Sequence, residues 1–75
     1  MSTVTEAVRD QLMVGNERYR RLREEHAQYA IQLEALSTKS HLSEVEQTEE
    51  LRLKKLKLWA KDQMELLVRQ AQTVH

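Results

Sequence analysis

The chain has 75 residues, enough for one small domain, and its formal charge is zero because twelve basic and twelve acidic residues balance. It contains no cysteine, which excludes disulfides, thiolate metal sites and a cysteine nucleophile. It also has no proline and a single glycine, in a composition that is 40% apolar and 32% charged. Such a sequence permits long helices throughout. We therefore expect one all-α domain over residues 1–75.

The first predicted helix begins at a capping-box pattern, Thr3-x-x-Glu6. Apolar-type positions then recur at alternating steps of four and three residues, the spacing of one face of a coiled-coil helix. These positions are Val8, Leu12, Gly15, Tyr19, Leu22, His26, Tyr29, Leu33 and Leu36. The spacing predicts a helix over about residues 4–36. A kink or short break is expected at Gly15-Asn16, since glycine costs about 1 kcal/mol in a helix and asparagine prefers caps.

A polar cluster interrupts the pattern at residues 37–43, where Ser43-x-x-Glu46 makes a second capping box. The spacing that follows predicts a second helix over about residues 44–73. Its core-facing positions are Leu42, Val45, Leu53, Leu56, Ala60, Met64, Leu67, Ala71 and Val74. A connection this short favours antiparallel packing. The predicted fold is a two-helix antiparallel coiled-coil-like hairpin, in which the numbers of facing residues add to about 80.

The second helix carries more apolar side chains than one partner helix can cover. At roughly 100° per residue, Leu51 and Leu58 project away from the core-facing positions, while Trp59 and Leu66 share a further stripe. A helix that is apolar on several faces is usually buried on several faces. We interpret Leu51, Leu58, Trp59 and Leu66 as partner-interface residues of a homo-oligomer or of a complex with a helical protein. The alternative is a set of scattered exposed apolar residues, which are normal on monomers.

The twelve residues from Leu53 onward read Leu-Lys-Lys-Leu-Lys-Leu-Trp-Ala-Lys-Asp-Gln-Met. This run resembles the Leu-Lys-Lys-x-Lys-Leu-x-Leu-Lys-Asp-Glu-Ile signature of the YdcH-like family. Upstream, an aromatic, leucine, histidine and isoleucine pattern is similar to the same family, at Tyr19, Leu22, His26, Ile31 and Leu36. The chain departs from the family at Glu17, Ala60 and Gln63, where the family has proline, leucine and glutamate. The resemblance implies a small bacterial helical hairpin without an established activity.

No signature of catalysis occurs in the sequence. It lacks a glycine-rich phosphate loop, a serine nucleophile elbow and a His-Glu-x-x-His zinc motif. We therefore predict that the protein is not an enzyme and that it has no catalytic, cofactor-binding or metal site. His26 falls on the core-facing side of the first helix. A half-buried imidazole there acts either as a pH-sensitive switch or as a polar residue that sets the register.

The predicted hairpin places two basic segments side by side, and we call them the basic band. These segments are Arg18–Arg23 and Lys54–Lys61. Within it, the candidate anion-contacting residues are Lys55, Lys57, Arg18 and Arg21. Lys55 and Lys57 have no acidic residue three or four positions away. Nucleic acid is therefore the alternative partner, although the neutral net charge and the lack of a groove-reading motif argue against it. In a self-associated form, these two lysines would instead meet Glu44–Glu50 of a second copy.

The N-terminus has neither the basic nor the apolar segment of a secretory signal, and no apolar run is long enough to span a bilayer. Leucine and lysine interleave around Trp59, but the lysines do not oppose one clean apolar face. This argues against a helix lying on a membrane surface. The sequence predicts a cytoplasmic, non-enzymatic helical interaction protein.

Overall fold

The computed structural model describes the backbone of residues 3–73 and the side chains of residues 5–72. Within that range the protein is all-helical, with the helices α1 (Thr3–Gly15), α2 (Glu17–Ser37) and α3 (Glu44–Thr73). They pack into a rod of 50 × 20 × 17 Å. The all-α prediction is confirmed. The prediction of two helices is wrong, because the segment expected to form one long first helix forms two.

Asn16 separates α1 from α2 and is the N-cap of α2. Its backbone is extended, with φ −123° and ψ 106°, and its Oδ1 accepts a hydrogen bond from the Tyr19 N–H over 2.9 Å. Asparagine suits this place because its short carbonyl-bearing side chain satisfies a first-turn N–H that has no partner within the helix. The break predicted at Gly15-Asn16 is therefore present, and the chain starts a new helix there.

Residues 38–43 connect α2 to α3, and the predicted capping box forms at the start of α3. The Ser43 N–H donates to a Glu46 carboxylate oxygen over 3.0 Å, and the Glu46 N–H donates to Ser43 Oγ over 3.2 Å. Lys39 pairs with the same carboxylate. The capping box predicted at Thr3 lies outside the described side chains.

The first arm of the rod is α1 followed by α2, and the second arm is α3. α2 and α3 run in opposite directions, since the start of α2 reaches the far half of α3, where Arg18 donates to Gln63 Oε1 over 3.3 Å. α1 continues along the rest of α3, where Gln72 Nε2 donates to Thr5 Oγ1 over 3.2 Å.

The core is a stripe of apolar side chains along the length of the rod. Its buried members are Val8, Tyr19, Leu22, Leu53, Ala60 and Val68. Val8, Tyr19 and Val68 form a cluster that draws on all three helices. Five of these six positions follow the spacing predicted from the sequence, and Val68 does not.

Two details of the predicted core are wrong. The spacing places Val45 in the core, yet it is 80% exposed. At the next position, the Glu46 carboxylate points toward the connection between α2 and α3, where Ser43 and Lys39 bind it. Val68 is buried because it lies in a cluster with Val8 of α1 and Tyr19 of α2. The prediction for Val74 falls outside the described residues.

Candidate interaction surfaces

One face of α3 points away from the core, and we call it the outer face. It consists of Leu51, Lys55, Leu58, Trp59, Asp62 and Leu66. Its apolar members are 55% (Leu51), 59% (Leu58), 46% (Trp59) and 47% (Leu66) exposed. A turn of 3.6 residues places Leu51 and Leu58 roughly opposite Leu53 and Ala60 on the helix. Trp59 and Leu66 lie nearer the edge of the outer face, and Trp59 also borders Leu22 of α2. All four residues singled out as partner-interface candidates therefore lie on one surface.

The outer face also carries one positive and one negative side chain, Lys55 and Asp62. The positions three and four residues from Lys55 hold no acid, and those around Asp62 hold no base. Neither side chain makes an ion pair or hydrogen bond among the interactions of residues 5–72. Elsewhere on α3, by contrast, Lys54 pairs with Glu50 at 3.7 Å. The outer face thus presents two opposite charges that no described side chain of the same chain neutralises.

A groove of about 630 Å³ opens where α1, α2 and α3 meet, and we call it the basic groove. Its charged lining is Arg9, Arg23, Lys57, Lys61, Asp10 and Glu65, together with His26. Its apolar lining is Met13, Tyr19, Met64 and Val68. Four cations face two carboxylates here, so the groove is locally positive on a chain of zero net charge.

His26 lies half-buried in the α2 side of the basic groove. Burial lowers its pKa, and the charges of Lys57 and Lys61 lower it further. The lowered pKa favours the uncharged imidazole, and the positive charge of the groove comes mainly from lysine and arginine. Whether His26 acts as a pH switch or sets the register stays a prediction.

A smaller groove of about 380 Å³ lies on the opposite edge of α2. Its lining is Glu17, Arg18, Arg21, Leu22, Glu25 and Trp59. Arg21 pairs with Glu17 over 3.4 Å, and the carboxylate of Glu25 accepts from the hydroxyl of Tyr29 over 3.4 Å. Two arginines and two glutamates balance each other, so this groove is neutral.

The four candidate anion-contacting residues are not brought together by the fold. Lys57 lines the basic groove, Arg18 and Arg21 line the neutral groove, and Lys55 lies on the outer face. The sequence pattern did not single out Arg9 as a member of any site. Its place in the basic groove depends on how α1 packs against α3, and helical periodicity alone carries no signal for that packing.

No family model matches the chain, and neither a curated protein nor a solved structure matches it. Within the described residues, no three side chains of the metal-binding types lie close enough to hold an ion. None of the described helices combines the length and the apolar character needed to cross a bilayer.

Proposed function

We propose that this chain is a non-enzymatic helical interaction protein that acts through the outer face, by self-association or by binding a partner helix. The observation that carries the proposal is the alignment of four large, half-exposed apolar side chains on the side of α3 opposite the core. Isolated apolar residues on a surface are ordinary, but several large apolar side chains that share one face of a helix favour an interaction site.

Trp59 makes the largest single contribution to this surface. Complete burial of a tryptophan removes about 150–250 Å² from water. Since Trp59 is 46% exposed, roughly half of that area is still available for an interface. At about 25 cal/mol/Å², its burial would stabilise a complex by about 2 kcal/mol per copy. Buried tryptophans near the centre of an interface commonly contribute most to binding.

Sedimentation equilibrium tests the proposal. We expect the wild-type chain to exceed the mass of one copy at high micromolar concentration, and Trp59→Ser to return it to one copy. Ile31→Ser is the matched control, because Ile31 is 62% exposed on α2, away from the outer face. An assembly that survives Trp59→Ser, or that Ile31→Ser breaks equally well, would show that the outer face is not the interface.

A nucleic-acid-associated role is the second candidate, and the basic groove is what favours it. Arg9, Arg23, Lys57 and Lys61 converge on one concave surface, as expected of a site for phosphate groups. The groove offers little for base recognition, however, since Tyr19 is the one aromatic side chain in its lining and it is buried. Any such binding would be directed at the phosphate backbone.

Fluorescence anisotropy with a labelled DNA duplex distinguishes this second role. If the groove binds phosphates, the logarithm of affinity falls linearly with the logarithm of salt concentration. Lys57→Gln and Lys61→Gln should each reduce that slope by about one. Lys54→Gln is the control, because Lys54 lies outside the groove and pairs with Glu50. Binding that all three substitutions weaken alike would count against a site in the groove.

We also propose kinship with the YdcH-like family, which implies a small bacterial helical protein without an established activity. We propose the cytoplasm as its location. Neither the resemblance nor the location identifies a further residue of the outer face or of the basic groove.

A further inference from the structure

We propose that the outer face binds the outer face of a second copy, with the two α3 helices antiparallel and a twofold axis between Leu58 and Trp59. This inference deepens the proposed function, on which it rests, by naming the partner and its register. It follows from the order of residues along the outer face together with their exposure.

The outer face is symmetric about its midpoint in the type of side chain. Leu58 and Trp59 are the two central residues. Lys55 lies three positions before Leu58, and Asp62 lies three positions after Trp59. Leu51 and Leu66 lie seven positions outside the same two residues. Each half of the face therefore holds a central apolar residue, one charge and an outer leucine, and the two charges have opposite sign.

A twofold axis through that midpoint pairs apolar residues of one copy with apolar residues of the other, and each charge with the opposite charge. Antiparallel pairing places positions equally distant from the axis at the same height on the two helices. Leu51 then lies level with Leu66 of the second copy, and Lys55 lies level with Asp62 of the second copy. The twofold axis keeps each residue on the same edge of the interface. Leu58 and Trp59, which are roughly 100° apart on the helix, therefore each meet their own counterpart at the centre.

The two charges select this arrangement over others. Lys55 and Asp62 have no ion-pair partner among the side chains of residues 5–72, and antiparallel pairing brings each opposite the other on the second copy. A parallel pair in register would set Lys55 against Lys55 and Asp62 against Asp62, and such like-charge contacts are strongly unfavourable. Opposite charges among apolar residues set orientation and register in helix pairs.

This register replaces the contact that the sequence suggested between Lys55, Lys57 and Glu44–Glu50 of a second copy. Lys57 lines the basic groove on the inner side of α3, so it is not part of the outer face. In the antiparallel pair, residues 44–50 of one copy lie beside residues 67–73 of the other, away from Lys55.

Charge exchange provides the test. Lys55→Glu leaves two carboxylates on the outer face, and Asp62→Lys leaves two ammonium groups. Each variant alone should dimerise about tenfold or more weakly than wild type, because both charged layers become repulsive. An equimolar mixture should regain wild-type affinity, since a mixed dimer restores two attractive layers. Both side chains are exposed, so folding should not change, and circular dichroism of each variant checks this. Arg20→Glu, an equal charge change on an exposed α2 position, should leave dimerisation unaltered.

Cross-linking provides a second readout of register, on a background without native cysteine. A mixture of Leu51→Cys and Leu66→Cys chains should form an interchain disulfide readily. Leu51→Cys alone should not, because the twofold axis would hold its two copies roughly 22 Å apart along the rod.

The outcomes separate this inference from the function on which it rests. If Trp59→Ser abolishes self-association but the mixed variants fail to regain it, the outer face is the interface and the antiparallel register is wrong. A wild-type chain that remains monomeric at high micromolar concentration overturns the dimer. Affinity regained only in the mixture, with the disulfide formed only between unlike chains, is the expected result.

Discussion

Asn16 decides where the first arm of the rod divides into two helices. Its side chain accepts the Tyr19 N–H, and its extended backbone sets α2 off from α1. Gly15 is the last residue of α1, and its φ is not positive. The glycine is therefore not required by an unusual backbone conformation, and the cap alone accounts for the break.

Gly15→Ala should stabilise the protein. A Cβ built on Gly15 meets no atom within 4 Å, and alanine is the better helix former by about 0.8–1 kcal/mol. We expect a gain of roughly 0.5–1 kcal/mol, or a rise of a few degrees in the thermal unfolding midpoint. Asn16→Ala should lower the midpoint instead, because it removes a cap that contributes about 1 kcal/mol. A lower midpoint for Gly15→Ala would mean that the junction needs glycine.

Glu46 should make stability depend on pH in acid. Lys39, followed by the N–H and hydroxyl of Ser43, lowers the pKa of its carboxyl to about 2, from 4.5. Because its pKa is lower in the folded state, the charged Glu46 carboxylate stabilises the fold fully above about pH 4.5. This contribution to the free energy of unfolding is lost as the pH falls toward 2.

Thermal melts between pH 6 and about 2 check this, with Glu46→Gln as the variant. Glutamine still accepts the Ser43 N–H but cannot titrate, so its midpoint should fall less steeply than that of wild type across this window. Glu44→Gln, which removes a neighbouring carboxylate that bonds neither Ser43 nor Lys39, is the control. Identical slopes for wild type and Glu46→Gln would contradict the lowered pKa.

α3 has a buried inner face and a solvent-exposed outer face. Its inner face holds Leu53 and Ala60, which are buried, and its outer face exposes Trp59 to solvent. α2 covers the first part of the inner face and α1 the last part, where Val8, Tyr19 and Val68 meet. α1 is held by this cluster and by the bond between Thr5 and Gln72, so it is the element most easily detached.

Substitutions in α3 should distinguish the packing of α2 against α3 from the packing of α1 against α3. Leu53→Ala removes a side chain that is 1% exposed and should cost about 2–4 kcal/mol, enough to unfold the whole rod. Val68→Ala should cost less and act first on α1, whose amide hydrogens should exchange faster while those of α2 stay protected. Val45→Ala, at an exposed position, is the control. Uniformly faster exchange in Val68→Ala would show that α1 and α2 unfold as one unit.

At the scale of the whole molecule, the rod gains little burial for its length. A chain of this size buries only about 60% of its unfolded surface, and a single small core seldom supplies more than about 3–5 kcal/mol. Association through the outer face would add burial that the rod lacks, and it would make stability depend on concentration.

The thermal midpoint should therefore rise with chain concentration. We expect a rise of several degrees between low and high micromolar wild-type protein, and a constant midpoint for Trp59→Ser over the same range. Ile31→Ser should keep the wild-type dependence. Scanning calorimetry at matched concentrations measures all three, and a concentration-independent wild-type midpoint would contradict association of the folded chain.

The sequence by itself determined the helical class, the break at Asn16, the capping box at Ser43 and most of the core spacing. Each of these depends on contacts between residues at most four positions apart, so the chain encodes them locally. The exposure of Leu51, Leu58, Trp59 and Leu66 also follows from helical geometry, once the core-facing side of α3 is known.

Only the tertiary structure decided how the side chains of different helices combine. The docking of α1 on the end of α3 helps to bury Val68 and brings Arg9 into the same groove as Lys61, although these residues are distant in sequence. The packing of α2 against α3 also divides the basic band, with Lys57 in one groove and Arg18 in another. The physical reason is that helical periodicity states which residues share a face, whereas the covering element depends on packing along the whole rod.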